Sequence, residues 1–108
     1  MTDGLHQRAE ERSLALHAAI AARLAADPTL IARAADRARE WAKGGGPVPA
    51  SIAIAWLESL TGPNAALRDL LVDRGERARQ LRQCSPFAGF LDPQTRSRIF
   101  REFRVTRA

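Results

Sequence analysis

The sequence has a single cysteine, Cys84, a single lysine, Lys43, and no tyrosine. One thiol cannot close an internal disulfide, so a reducing compartment is expected. No apolar run approaches the roughly 20 residues that are needed to span a bilayer. The opening residues, MTDGLHQRAEERS, have neither the apolar core of a signal peptide nor the acid-poor character of a transit peptide. These absences predict a cytoplasmic protein that does not act at a membrane.

Groups for catalysis or metal binding are also scarce. Cys84 and Ser85 are candidate nucleophiles, and His6 and His17 are the only imidazoles. No nucleophile-elbow motif surrounds Ser85, and the chain has no CxxC, HxxxH or HExxH spacing. We therefore predict no catalytic residue, no metal ligand, no cofactor and no small-molecule substrate. Cys84 is expected to be a half-buried apolar residue and His17 a helix-surface residue.

The positive charge is concentrated in the last third of the chain. The formal charge is +5 over 108 residues. Residues 1–73 carry eight Lys/Arg and nine Asp/Glu, net −1, whereas residues 74–108 carry nine Arg and three acids, net +6. A chain of this length forms one domain, so we treat residues 1–108 as a single unit with one basic region.

Apolar residues recur at helical spacing through most of the sequence. The pattern predicts an all-α bundle of five or six helices, because each apolar stripe is bounded by caps or by helix breakers. Helices are expected from Arg8 to Ala26, with residues 1–7 frayed, and from the Asp27-Pro28 corner, which should turn the second helix antiparallel to the first. The predicted core is Leu16, Ile20, Leu24, Ile31, Trp41, Trp56, Leu57, Leu60, Leu67, Leu70 and Leu71.

Breakers and caps divide the rest of the chain. GGGPVP, residues 44–49, is a linker, because glycine has a high backbone entropy and proline lacks a donor. Thr61 or Gly62 should cap a helix that begins at Pro63, and Asp73 with Glu76 resembles a capping box that starts a short helix ending at Gln83. Asp92 and Pro93 should start the last helix.

Residues 84–91, CSPFAGFL, interrupt the helical pattern just before the last helix. We predict a non-helical aromatic loop in which Phe90 and Leu91 insert between helices and Cys84 is partly shielded. A small, alanine-rich core needs its few aromatics, which favours burial of Phe90. For Phe87 the sequence leaves two alternatives equally open, burial in the core or exposure as an anchor for a partner.

Arginine-rich segments lie on both sides of this loop and predict an interaction surface. Guanidinium groups pair bidentately with carboxylates and with phosphates, so the surface could meet an acidic protein or a nucleic acid. A protein is favoured, because no helix-turn-helix, zinc-finger or ribonucleoprotein signature accompanies the charge. A solvated face without a partner is the third alternative. The candidate partner-binding residues are Arg77, Arg82, Phe87, Arg98, Arg101 and Arg104.

Three stretches together resemble a known family: ERSLALHAAIAARLAADPTLIARA, AWLESLTGPNAALRDLL and ERARQLRQCSPFAGFLDPQTRSRIFREFR. As a set they resemble small helical bacterial antitoxins encoded beside nucleotidyltransferase-like toxins. The most specific phrases are RSLALH at residues 12–17 and LRQCSPFAGFL at residues 81–91, in which Cys84 replaces the serine usual in the family.

The resemblance implies a protein without chemistry of its own that occludes or remodels a toxin enzyme. No catalytic residue is carried over from such a family. With the arginine-rich region, it implies a partner with an acidic cleft, and direct or autoregulatory nucleic-acid binding is the alternative.

Overall fold

The computed structural model describes residues 2–104, the side chains of residues 2, 3, 5 and 6 excepted. These residues form helices and connections without a strand, which confirms the all-α prediction. The six helices are α1 (Thr2–Ala26), α2 (Thr29–Ala42), α3 (Ala50–Leu60), α4 (Asn64–Val72), α5 (Glu76–Gln83) and α6 (Pro93–Glu102). Arg107, the last arginine of the basic region at residues 74–108, lies outside the described residues.

The two Asp-Pro corners start helices, as the sequence predicts. The Asp92 carboxylate accepts the backbone N–H of Thr95 at 2.9 Å and its hydroxyl at 2.7 Å, and Pro93 takes the first helical position. At the earlier corner, the Asp27 carboxylate accepts the N–H of Thr29 at 3.2 Å. Each carboxylate satisfies a donor that a helix start leaves unpaired.

Two other predicted caps are wrong. The Thr61 hydroxyl donates to the Leu57 carbonyl at 2.8 Å and so closes the end of α3 instead of starting α4. The Asp73 carboxylate accepts the N–H of Gly75 at 2.6 Å and makes a tight turn instead of a capping box with Glu76. In both cases the polar side chain finds a nearer backbone partner within its own turn.

Helix α1 is longer than predicted and packs differently. It begins at Thr2, well before Arg8, because the good helix formers that follow Gly4 continue the helix through the glycine. The expected antiparallel pairing of α1 with α2 is wrong, since the two helices contact each other only slightly. Helix α1 lies mainly against α4, with α5 and α6 also on its surface, and the most extensive helix pair is α2 with α3.

The glycine-proline linker returns the chain from α2 to α3. Gly44 and Gly45 have φ angles of 92° and 78°, a region that strongly favours glycine. Gly46 lies against Trp41, where an added Cβ would come within 3.2 Å of the indole Cδ1. The linker therefore covers one side of Trp41, which is half-buried at the edge of the core.

The predicted core is largely confirmed. Ile20, Leu24, Ile31, Trp56, Leu60, Leu67 and Leu71 are buried, whereas Leu16, Trp41, Leu57 and Leu70 are only partly buried. Alanines contribute more than the leucine pattern suggests, because Ala34, Ala38 and Ala53 are fully buried. Small side chains at these positions let α2 and α3 approach closely, so bulky groups are needed only where the helices diverge.

The aromatic loop, residues 84–91, fills a space that the helices leave open where they diverge. It is non-helical, with Phe90 buried, Leu91 packed against the core and Cys84 half-exposed, as predicted. The structure also decides between the two alternatives for Phe87, which is only 2% exposed and belongs to the core. The ring of Phe87 meets Trp56 edge to face at 5.7 Å and Phe90 at 5.5 Å between centroids.

We expect Phe87→Ala and Phe90→Ala each to lower the free energy of unfolding by about 3 to 5 kcal/mol, because each substitution empties a buried aromatic site. Phe87→Ala should be at least as costly as Phe90→Ala, since Phe87 also loses its contact with Trp56. Urea denaturation followed by circular dichroism measures both. Ile54→Ala, at a position that is 47% exposed, is the control and should cost far less. If neither phenylalanine variant lowers the free energy of unfolding more than Ile54→Ala does, the prediction that the loop packs into the core is wrong.

Candidate interaction surface

Two of the six predicted partner-binding residues are inside the fold. Phe87 is buried in the aromatic cluster and offers no ring to a partner in this conformation. Arg82 is 7% exposed, and its guanidinium donates to the Asp73 carbonyl at 2.6 Å and to the Leu71 carbonyl at 3.4 Å. Arg82 thus holds the last carbonyls of α4, a structural use of arginine that its position in a basic run does not reveal.

Two of the four arginines in residues 74–83, which precede the loop, are paired with acids on α1. Arg74 pairs with Glu11 at 2.7 Å, and Arg79 with Glu10 at 3.4 Å. The hydrogen bond from Arg74 lowers the pKa of the Glu11 carboxyl. The basic stretch and the acidic start of the chain are distant in sequence but adjacent in the fold, so the charges of Arg74 and Arg79 are matched within the protein.

Arg77 is exposed but stands apart from the later arginines. Its guanidinium donates to the Gln80 side chain at 3.3 Å on its own helix. Helices α5 and α6 both lie on α1 and do not pack against each other within the described residues. Packing therefore does not join Arg77 to the arginines of α6.

The remaining three candidates, Arg98, Arg101 and Arg104, are all exposed at the C-terminal end of the described chain. We call them the α6 arginine face. Ile99 anchors α6 by its buried side chain, which turns the opposite side of the helix outward. Arg98 and Arg101 are three residues apart on α6 and share a face, as expected of a helix. Arg104 follows the end of α6 at Glu102, so helical periodicity does not extend this face to it.

The α6 arginine face borders an open depression. Arg98 and Arg101 line it together with Asp92, Thr95 and Ser97 at the start of α6, and its volume is about 570 Å³. The Asp92 carboxylate is engaged by Thr95, whose hydrogen bonds lower the pKa of Asp92. None of the ion pairs found in the described part of the chain involves Arg98, Arg101 or Arg104.

The other side of α6 is fixed to α1 through Phe100. The Arg12 guanidinium carbon lies 4.7 Å from the centre of the Phe100 ring, and that of Arg96 lies 4.5 Å from it. Further along, Arg8 donates to the Arg104 carbonyl at 3.4 Å. These contacts orient α6, so the arginine face is presented on a supported helix rather than on a loose end.

A histidine–serine pair joins α1 to the aromatic loop, and the prediction of a helix-surface His17 is wrong. His17 is 4% exposed, with Nε2 2.8 Å from Ser85 Oγ and Nδ1 2.8 Å from the Ser13 carbonyl. A carbonyl only accepts, so neutral His17 carries its proton on Nδ1 and the Ser85 hydroxyl donates to Nε2. The hydroxyl oxygen accepts the N–H of Phe87 at 3.2 Å, which completes the chain of hydrogen bonds.

This pair has the contact that nucleophilic catalysis requires between a hydroxyl and a base. Here, however, a neutral carbonyl stands behind the imidazole, and the serine oxygen is also bound by the Phe87 N–H that follows it. The arrangement fastens the start of the aromatic loop to α1. Sequence reasoning missed it because the two residues are 68 positions apart.

Two arginines of α2, which are not among the predicted partner-binding residues, also contact the loop. The Arg37 guanidinium donates to the carbonyls of Pro86 and Ala88 at 2.8 and 2.9 Å. The guanidinium carbons of Arg33 and Arg37 lie 5.2 and 5.3 Å from the centre of the Phe90 ring. Their spacing of four residues predicts from the sequence that Arg33 and Arg37 share one face of α2. Only the fold shows that this face contacts the aromatic loop.

Comparison of the chain with protein-family models, with curated proteins and with solved structures finds no match in any of the three. Residues 2–104 contain no helix long and apolar enough to cross a membrane. Within the same described residues, no three histidine, cysteine or acidic side chains are grouped so that they could hold a metal ion.

We expect the protein to lose stability as the pH falls through about 6.5. Burial lowers the pKa of His17 below its ordinary value of 6.5, the hydrogen bond to Ser13 opposes this, and the charge of Arg82 adds to the lowering. The unfolded chain therefore takes up a proton first, so the free energy of unfolding decreases until the lowered pKa of the folded state is passed. Chemical denaturation at several pH values measures this dependence.

The matched variants are His17→Gln and His6→Gln. The first should remove most of the pH dependence in this window, and the second should retain it. An unchanged dependence in His17→Gln would show that another group is responsible.

Proposed function

We propose that this chain is a non-catalytic, antitoxin-like interaction protein that binds and inhibits a partner toxin enzyme through the α6 arginine face. The observation that carries the proposal is the exposure of Arg98 and Arg101 on one side of a helix that is otherwise held in place, with Arg104 exposed just beyond the end of that helix. The resemblance of the RSLALH and LRQCSPFAGFL segments to the antitoxin family supports the same function.

The distribution of charge favours a partner at this face over a merely solvated one. The fold assigns Glu10 and Glu11 to arginines near α5, and it buries Arg82. In the described part of the chain, the guanidinium groups of α6 receive no such carboxylate. Arg98 and Arg101 are like charges three residues apart on one helix face and repel each other, and an anionic surface would relieve this repulsion.

An acidic cleft of an enzyme that handles phosphates is complementary to this surface. Such enzymes, including nucleotidyltransferases, position metal ions for phosphate chemistry with carboxylates. Guanidinium groups bind carboxylates bidentately, so the α6 arginine face would enter the space that substrate phosphates otherwise occupy. Inhibition by this route needs no reaction on the antitoxin, and Phe87, being buried, takes no direct part in it.

The test is co-expression with the product of the neighbouring gene, followed by measurement of growth and of complex formation by purification. We expect the wild-type chain to neutralise the neighbour and Arg98→Gln with Arg101→Gln to fail, because truncating charged contacts at an interface costs about 2 to 5 kcal/mol when they are buried there. Arg39→Gln with Arg68→Gln removes the same charge elsewhere and should still neutralise. A toxic neighbour that is neither bound nor neutralised by the wild-type chain would overturn the proposal.

A second function, direct nucleic-acid binding that could be autoregulatory, is favoured by the depression beside α6. Its arginines and the hydroxyls of Thr95 and Ser97 are suitable donors to phosphate oxygens. Three phosphate contacts would weaken binding about 40-fold between about 50 and 200 mM salt. Fluorescence anisotropy with duplex and single-stranded probes measures this, and the Arg98→Gln with Arg101→Gln variant should flatten the salt dependence. No binding at low salt would reject this function.

A further inference from the structure

We propose that the aromatic loop carries a second interaction site, which binds an acidic segment of a protein partner and takes one aliphatic side chain of that segment into a cleft beside the loop. The site is distinct from the α6 arginine face and goes beyond the proposed inhibition through it. Its apolar part is a cleft between α1 and the loop, and its charged part is a rim of two exposed arginines, Arg33 and Arg96, while Arg37 holds the loop between them.

The cleft has a volume of about 110 Å³. Its apolar walls come from Leu16 and Ile20 of α1 and from Phe87 and Leu91 of the loop. An engineered apolar cavity of about 150 Å³ holds a benzene molecule, so this cleft has room for one aliphatic side chain.

The polar groups in the cleft already have hydrogen-bond partners within the protein. His17 and Ser85 line it, but the Ser85 hydroxyl is donated to His17 Nε2 and the imidazole N–H is donated to Ser13. No buried side-chain nitrogen or oxygen in the described residues lacks a hydrogen-bond partner. A ligand side chain that enters the cleft therefore gains binding free energy mainly by displacing water from the apolar walls.

The rim arginines contact the loop from two different helices. Arg96 lines the cleft on the α6 side. Arg33 and Arg37 stand over Phe90 on the α2 side, and Arg37 is tied to the Ala88 carbonyl. Arg96 therefore lies at the cleft itself, and Arg33 lies beside Phe90, the residue that follows Gly89 in the loop.

This rim has little acid of its own to balance it. Asp92 follows the loop directly, but its carboxylate is occupied by Thr95. None of the ion pairs in the described residues includes Arg33, Arg37 or Arg96. Arg33 and Arg37 are also like charges four residues apart on α2, an arrangement that disfavours the free protein. Charge complementarity therefore selects an acidic occupant.

The shape of the site favours a peptide over a nucleic acid. Single-stranded nucleic acids bind through bases stacked on exposed aromatic rings. Here Phe87 and Phe90 are buried, and Phe100 is covered by Arg12 and Arg96. A cleft for one small side chain beside exposed guanidinium groups instead fits an aliphatic residue flanked by carboxylates.

The experiment uses a fluorescein-labelled synthetic peptide of glutamate and aspartate with one central leucine, and the same peptide with alanine in place of leucine. Binding to the full chain is measured by fluorescence anisotropy at low salt. We expect the leucine peptide to bind at least about tenfold more tightly than the alanine peptide, because only leucine fills the cleft. The leucine peptide should also shift the backbone amide signals of Ala88 and Gly89 in an NMR titration.

The matched variants are Arg33→Gln with Arg96→Gln and, as control, Arg98→Gln with Arg101→Gln, which remove equal charge. The first pair should weaken the leucine peptide by about tenfold or more, and the control should leave it within about twofold. Arg37 is kept, because it holds the loop. Thermal melting confirms that each variant is folded, and should the first pair fail to fold, the two peptides compared on the wild-type chain decide.

Several outcomes would overturn the inference: no binding, equal binding of the two peptides, equal loss in both variant pairs, or displacement of the peptide by an oligonucleotide of equal charge at lower concentration. The same variants separate this site from the proposed inhibition. If Arg33→Gln with Arg96→Gln binds the leucine peptide like the wild type while Arg98→Gln with Arg101→Gln abolishes neutralisation, the loop site is rejected and the antitoxin function stands. If the leucine peptide binds as expected while the wild-type chain fails to neutralise the neighbour, the loop site stands and the antitoxin function is rejected.

Discussion

The edge-to-face contact of Phe87 with Trp56 is the interaction on which the rest of this small fold depends. It brings a residue of an irregular loop into the centre of a helical core, where Trp56 is fully buried. The indole N–H of Trp56 donates to the Leu81 carbonyl at 2.9 Å, so the same side chain also holds the end of α5. Aromatic pairs of this geometry contribute about 0.5 to 1.5 kcal/mol beyond the area they bury.

Burying an irregular segment requires that its backbone and side-chain polar groups find partners. Arg37 supplies them for the Pro86 and Ala88 carbonyls, and His17 receives the Ser85 hydroxyl. Helices α1 and α2, which scarcely meet each other, are both connected to the loop in this way. The loop thus takes over part of the role that a direct α1–α2 interface would have in a simple helical bundle.

The arginines of this chain fall into three groups with different physical roles. Arg82 and Arg37 bind backbone carbonyls and stabilise the fold, whereas Arg74 and Arg79 pair with acids on α1. The exposed groups on α6 and around the loop have neither role, which is why they are the candidates for recognition. This division matters for function, because a guanidinium whose N–H donors are already bound inside the protein has few donors free for a partner.

The sequence by itself determined the helical class, the Asp-Pro starts, the position of the non-helical loop and most of the core, because these follow from spacing and from caps that act within a few residues. It also placed Arg98 and Arg101 on one face, since that depends only on helical periodicity, whereas Arg104 lies beyond the end of the helix. Only the tertiary structure decided that Phe87 is buried, that Arg82 and His17 lie inside, and that α1 packs on α4 instead of α2. These outcomes depend on contacts between residues far apart in the chain, such as His17 with Ser85 and Glu11 with Arg74, for which no local pattern carries a signal.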